Sequence, residues 1–284
     1  LRRIHTKLRW AVDFRALNKM TLKDAYPLPN ISSNLEKLKG ARVFSSLDSA
    51  GAYHALPMEE SSRDFSAFVT PYGTFRFASM PFGLTNSSSV FCRLVQMALD
   101  RLPPGFALAY LDDLLVYSDN LNDHLSHMEE VLKMHVYAGL KLNMGKCNIF
   151  QDQVEYLGHL VSKNGIQMIP DYVQRIMDWP LPKTAKQLQS FLGFCSYYRG
   201  FIAEFASFSA SMNKVRQGKG DVSWTEDMKV DFEKLKDKFT RPPVRGYHDF
   251  NSNEPFVLDT DWSGVGMSGV LSQKQEGGTV FLGQ

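Results

Sequence analysis

Two adjacent carboxylates, Asp112 and Asp113, stand between apolar runs, Phe106 to Tyr110 on one side and Leu114 to Tyr117 on the other. Such runs around a short polar step read as two strands of a hairpin with the acids at its tip. Neighbouring carboxylates raise each other's pKa unless a cation or a donor neutralises them, so stability alone gives no reason to place them there. A bound divalent ion resolves the conflict; an acidic, solvent-exposed turn is the alternative. Asp48 favours the ion. It ends another apolar strand, Val43 to Leu47, and lies 64 residues before Asp112, enough for the strands to run side by side in one sheet. Three carboxylates converging on a sheet face could hold two magnesium ions and support in-line phosphoryl transfer.

The elements that must position these groups are legible nearby. After Asp119 and Asn120, the spacing of Leu121, Leu125, Met128, Leu132 and Val136 predicts an amphipathic helix with this apolar face, stopped by Gly139. Residues 1 to 162 mix strand-like and helical patterns, as in an α+β domain. From about residue 163 to 250, helices punctuated by proline take over. Asp171 to Trp179 is followed by Pro180 and Pro182; Thr184 opens a second helix with Gln187 in the capping-box position; and Met228, Phe232, Leu235 and Phe239 share one face of a third. Residues 251 to 284 read as three strands without a helix, the expected opening of a domain whose remainder is absent.

With 44% hydrophobic and 22% charged residues, the 284-residue chain has ordinary globular composition and length for two or three domains. No run approaches the roughly 20 apolar residues of a membrane span, so no membrane partner is expected. The three cysteines, Cys92, Cys147 and Cys195, form no CxxC or CxxH pairing, which predicts a reducing compartment and no zinc site. Net charge is +2, yet residues 1 to 23 carry seven Lys or Arg against Asp13 alone. That basic edge suits phosphate binding or is simply a solvated strand. The first residue is Leu, which suggests a piece of a longer polyprotein.

Taken in order, Phe44-Ser-Ser-Leu-Asp48 with Ala52-Tyr-His54, Met80-Pro-Phe-Gly-Leu-Thr-Asn86, Tyr110-Leu-Asp-Asp113 and Glu155-Tyr-Leu-Gly-His159 resemble the successive polymerase motifs of reverse transcriptases, in the form found in gypsy-type LTR retrotransposons. Val12 to Lys19 with Asp24 to Pro29 resembles the fingers segment of the same family. The resemblance implies a right-hand polymerase fold, with fingers and palm in residues 1–162, a thumb and connection in 163–250, and the truncated start of a ribonuclease H-like domain in 251–284. It implies an RNA- and DNA-templated DNA polymerase from a retrotransposon Pol polyprotein. Two Mg2+ ions, with Mn2+ as a substitute, would serve it. The partners would be an RNA template, a DNA primer, the RNA-DNA hybrid and deoxynucleoside triphosphates. The setting would be cytoplasmic virus-like particles with access to the nucleus. Oligomeric state is not implied.

Carried over residue by residue, the resemblance makes Asp48 and Asp112 the principal metal ligands and Asp113 their neighbour. Arg9 would hold the incoming triphosphate, with Arg2 or Arg3 as a second cation. Tyr53 would be the steric gate against a ribose 2′-hydroxyl, or else plain core. Phe82 and Gly83 would form the floor near the nucleotide. Lys146 would protonate the leaving pyrophosphate, or be a solvated lysine. Tyr156, Leu157, Gly158 and His159 would be the primer grip, and Asp261 the first metal ligand of a ribonuclease H site that is incomplete here, so cleavage of RNA is not expected. Two departures stand out: residues 49 to 55 differ from the family's usual form, and Ser88 occupies a usual proline position. A catalytically silent relic, or a host-adopted nucleic-acid-binding descendant, is the alternative function.

Overall fold

The computed structural model describes residues 11–283 except 28, 203–204, 217, 219, 241–244, 248–251, 264–265 and 276–277; side chains at 216, 261–268, 278, 281 and 283 are also outside the description. The chain divides into two compact units, Leu1–Asp152 and Gln153–Gln284. In the first unit the elements are α1 (Arg15–Met20), α2 (Ile31–Glu36), β1 (Val43–Asp48), α3 (Glu60–Arg63), β2 (Phe68–Thr70), β3 (Gly73–Phe75), α4 (Ser87–Leu99), β4 (Ala107–Tyr110), β5 (Asp113–Ser118), α5 (Leu121–Tyr137) and β6 (Asn148–Gln151). In the second they are β7 (Gln153–Tyr156), β8 (His159–Ser162), β9 (Gly165–Met168), α6 (Pro170–Met177), α7 (Ala185–Tyr197), α8 (Phe205–Arg216), α9 (Glu226–Lys238), β10 (Phe256–Ser263), β11 (Gly266–Gln275) and β12 (Gly278–Gly283).

The first unit is built on a sheet of order β4-β5-β1-β6. Alternation along the strands sends Leu47, Leu114 and Val116 into a core with Ala98 of α4 and Met128, Val131 and Met134 of α5. A second cluster joins Ala52, Met80, Phe91, Val95 and Leu140. The helix after the hairpin forms, capped by the Asn120 side chain accepting from Asp123 N–H. Its buried face, however, differs from the one read in the sequence. Leu121, Leu125, Leu132 and Val136 are exposed, and of that apolar set only Met128 is buried. The face that packs carries His124, Met128, Val131, Met134 and His135.

The physical reason is that both buried imidazoles find partners. His124 Nε2 lies 2.7 Å from Ser45 Oγ, its Nδ1 2.8 Å from Ser118 Oγ, and Ser45 Oγ accepts from Phe150 N–H at 3.0 Å. His135 Nδ1 meets the Val131 carbonyl at 2.9 Å. Bonds to β1 and β5 thus make a polar face compatible with burial, which hydrophobic periodicity does not register.

In the second unit, β7-β8-β9 and β10-β11-β12 form separate antiparallel sheets. The Thr184–Gln187 capping box forms, and Met228, Phe232, Leu235 and Phe239 are buried on and just after α9. Helix α8 was not legible in the sequence pattern; small and polar residues break its apolar stripe.

Burial pushes the His124 pKa down to about 4 from 6.5, with the neighbouring His127 lowering it further. An unfolded chain therefore takes up this proton first, so stability is complete above pH 6.5 and is lost as pH falls through about 4. The loss should reach on the order of 3 kcal/mol. Denaturant unfolding at pH 7.5 and 4.5 should show a steeper loss in the unchanged protein than in His124→Gln. Equal pH dependence in the two proteins would refute the assignment.

Candidate active site

The β4–β5 hairpin closes on Tyr110 opposite Asp113, which leaves Leu111 and Asp112 as its two turn residues. Leu111 has φ 56°, a left-handed conformation that costs a residue with a Cβ about 1 kcal/mol. Positive φ at the first of two turn residues belongs to the primed hairpin turns, whose twist matches that of their strands. On its other edge β5 pairs with β1, and the register sets Asp48 directly opposite Asp113. Opposed residues project to the same face with Cβ atoms about 5 Å apart. Asp48 and Asp113 therefore share the face opposite Leu47 and Leu114, while Asp112 stands one step beyond in the turn.

Asp48 is clamped through its backbone. Asn143 N–H donates to the Asp48 carbonyl at 2.8 Å, Ala50 N–H donates to the Lys141 carbonyl at 2.7 Å, and Asp48 N–H reaches Cys147 Sγ at 3.5 Å. These bonds hold a 3₁₀ turn, Met144–Lys146, beside the strand end. Lys146 Nζ consequently lies 3.3 Å from Asp48 Oδ1. Asp113 is open to solvent on one side, yet lost hydration at the sheet end raises its carboxyl pKa. The charges of Asp112 and Asp48 raise it further, and Lys146 partly offsets them.

Among the described residues, no three His, Cys, Asp or Glu side chains are gathered into a metal-holding group. Asp48 is engaged by Lys146, and Asp112 sits in the turn, one residue before Asp113 enters β5. The donor chemistry nevertheless fits a hard divalent cation: carboxylate oxygens on neighbouring strands, crowded enough to perturb one another.

Tyr53 sits on a 3₁₀ turn, Ala52–Ala55, half-buried against the second core cluster. Its ring meets Phe82 edge-on at 5.4 Å and Phe91 at 5.7 Å, and its hydroxyl lies 3.1 Å from Ser88 Oγ. Tyr53 is thus in contact with core while its hydroxyl keeps a polar partner. Phe82 is exposed and also flanked by His54. Gly83 has φ 95°, a conformation that favours glycine, and its carbonyl accepts from Asn18 Nδ2 at 2.8 Å.

In the second unit, Tyr156 to His159 form the β7–β8 turn, with Leu157 at φ 46° and Gly158 at φ 71°. Two consecutive tyrosines of the α7 end support it. Tyr197 Oη donates to the Leu157 carbonyl at 2.7 Å and Tyr198 Oη to the Gly158 carbonyl at 2.8 Å. A Cβ on Gly158 would stand 3.2 Å from Tyr198 Oη. His159 Nδ1 meets the Leu157 carbonyl at 2.8 Å, and burial lowers its pKa. Sequence reasoning missed Tyr197, Tyr198 and Ser88 as supports. The Tyr-Tyr pair was visible, but nothing within a few residues points to a turn 40 positions earlier.

Arg3 and Arg9 lie outside the described residues. Asp261 falls in β10 opposite Ser268, and its side chain is outside the description.

The fold is that of right-hand polymerases. The chain is similar to a foamy viral protease-reverse transcriptase in complex with RNA/DNA hybrid, with TM-score 0.79 and 22% identity over 96% of this chain and 37% of that one. It is similar to the form of that protein in complex with dsDNA, with TM-score 0.81 and 22% identity over 97% and 57%. Residues 4–161 match the family described as reverse transcriptase (RNA-dependent DNA polymerase), and the chain belongs to that family. Residues 224–282 match the RNase H-like domain found in reverse transcriptase. Curated relatives include the retrovirus-related Pol polyproteins from transposon 297 and transposon gypsy of Drosophila melanogaster. The first is 36% identical over 94% of this chain and 25% of the polyprotein; the second is 35% identical over 94% and 27%. The Tf2-3 polyprotein of Schizosaccharomyces pombe is 31% identical over 95% and 20%. The chain thus spans about a quarter of the length of the curated relatives it matches.

Tyr198→Phe should cost about 1 kcal/mol, because the Gly158 carbonyl loses its phenol donor. Gly158→Ala should cost at least as much, since it adds strain at positive φ to a close approach. Denaturant unfolding of both variants checks this, and wild-type stability of Gly158→Ala would show that the turn is not held as described.

Proposed function

We propose that this chain is the polymerase part of a retrotransposon Pol polyprotein, extending a primer on an RNA or DNA template with deoxynucleoside triphosphates. The observation that carries the reading is the register of Asp48 opposite Asp113 at a hairpin tip, inside the region that matches the reverse transcriptase family. The solved structures similar to it hold an RNA/DNA hybrid or double-stranded DNA, and the same classes of ligand are proposed here.

In this reading the primer 3′ oxygen attacks the α-phosphorus of the nucleotide, the bond to the β-phosphate breaks, and pyrophosphate leaves. Asp48, Asp112 and Asp113 would hold two magnesium ions, which would acidify the attacking hydroxyl and neutralise the departing charge. Lys146, whose Nζ lies 3.3 Å from Asp48 Oδ1, would give a proton to the pyrophosphate. Arg9 and Arg3 would bind the triphosphate. Phe82 and Gly83 would support the nucleotide, with the Tyr53 ring excluding a 2′-hydroxyl. The turn from Tyr156 to His159 would hold the primer strand through its backbone.

Asp112→Asn should reduce nucleotide addition at least about a hundredfold, as expected when charge stabilisation of the transferring phosphoryl group is lost. Hybrid binding should change little, because it draws on many backbone contacts. Extension of a labelled primer and hybrid binding by anisotropy, measured on the same preparations with magnesium, provide the check. Wild-type-like extension by the variant would remove Asp112 from the site.

A further inference from the structure

Sugar selection by a ring depends on how little the ring yields. A side chain that can swing away relieves the clash with a 2′-hydroxyl instead of rejecting it. Tyr53 is restrained at three places. Phe91 and Phe82 abut the ring edge-on at interplanar angles of 84° and 78°, and the phenol oxygen is 3.1 Å from Ser88 Oγ. The aromatic contacts limit tilt, while the hydroxyl pair fixes the far end of the ring.

Ser88 is the second residue of α4, so its position is set by the helix start and not by the turn that carries Tyr53. The segment ahead of it is tied down separately: Asn86 Nδ2 donates to the Leu22 carbonyl at 2.8 Å and Asn86 Oδ1 accepts from Asp24 N–H at 3.1 Å. The serine hydroxyl is therefore mounted on a rigid base. A proline at this place, the usual residue in the family that the sequence resembles, would offer no hydroxyl, so the restraint rests on the serine.

We propose that Ser88 is a positioning residue for sugar discrimination, anchoring the Tyr53 hydroxyl so that the ring stays where it excludes a ribonucleotide. The inference rests on the reading of Tyr53 as the gate and names a second residue on which its selectivity depends. Ser88→Ala is suited to test it, because the position is exposed and alanine is favourable in a first helical turn. Tyr53→Phe removes the other half of the same bond and keeps the ring.

The experiment is single-nucleotide extension by the full chain with magnesium, using matched deoxy- and ribonucleotides, for the unchanged protein, Ser88→Ala, Tyr53→Phe, their double variant and Tyr53→Val. The readout is the ratio of the two kcat/KM values, which a general loss of stability would not move. Ser88→Ala and Tyr53→Phe should each relax discrimination about threefold to tenfold, the range available to one hydrogen bond. The double variant should do no more than either single one. Tyr53→Val should relax it further. An unchanged ratio in Ser88→Ala, with Tyr53→Val relaxed, would overturn the anchor and leave the gate standing. Additive effects in the double variant would also overturn it. An unchanged ratio in Tyr53→Val would overturn the gate and the anchor together, and no extension by the unchanged protein would overturn the polymerase reading beneath both.

Discussion

Strand β5 is hydrogen-bonded along both edges, to β4 on one side and β1 on the other, and this double pairing decides where the three aspartates stand. A hairpin alone is marginal in water and free to twist. Adding β1 fixes its register, because a one-residue slip would turn Leu47 out of the core and carry Asp48 to the wrong face. Leu47, Leu114 and Val116 resist that slip by packing against α4 and α5. The carboxylates are held in place by hydrophobic burial on the opposite side of the same sheet.

That rigidity lets the site keep an electrostatic conflict. Asp113 has lost hydration and faces the charges of Asp112 and Asp48, with Lys146 as partial relief. Flexible carboxylates would separate; Asp48 and Asp113 are tied to paired strands, and Asp112 to the short turn between two of them. Backbone strain follows a similar logic. Leu111 and Leu157, both non-glycine residues at positive φ, sit at the hairpin tip and at the turn read as the primer grip. Each is retained by surrounding bonds: the ladders on either side of β5, and the two tyrosine hydroxyls of α7.

Behind the β4-β5-β1-β6 sheet, polar groups contribute to the packing. His124 bridges serines of β1 and β5 from α5, and Phe106 stacks on His127 at 4.2 Å. Fully partnered, such a network specifies one arrangement of helix on sheet, where leucines alone would tolerate several. It also explains why α5 turns an apolar stripe outward.

The sequence by itself determined whatever is written within a few residues: the hairpin around Asp112 and Asp113, the capping box of Thr184 and Gln187, the buried face of α9, and the ordered motifs that carry the family resemblance. Turn chemistry, caps and periodicity are local, so they can be read along the chain. Tertiary structure decided what depends on distant partners. Asp48 stands opposite Asp113, with Asp112 beyond it in the turn, and Lys146 reaches Asp48 across 98 positions. Ser88 meets Tyr53 across 35, the tyrosine pair reaches its turn across 40, and His124 finds Ser45 across 79. No local spacing encodes these meetings, because they depend on sheet register and on which helix face finds hydrogen-bond partners. Hydrophobic periodicity misjudged α5 for that reason: it counts apolar side chains, whereas burial also admits polar ones whose hydrogen bonds are satisfied.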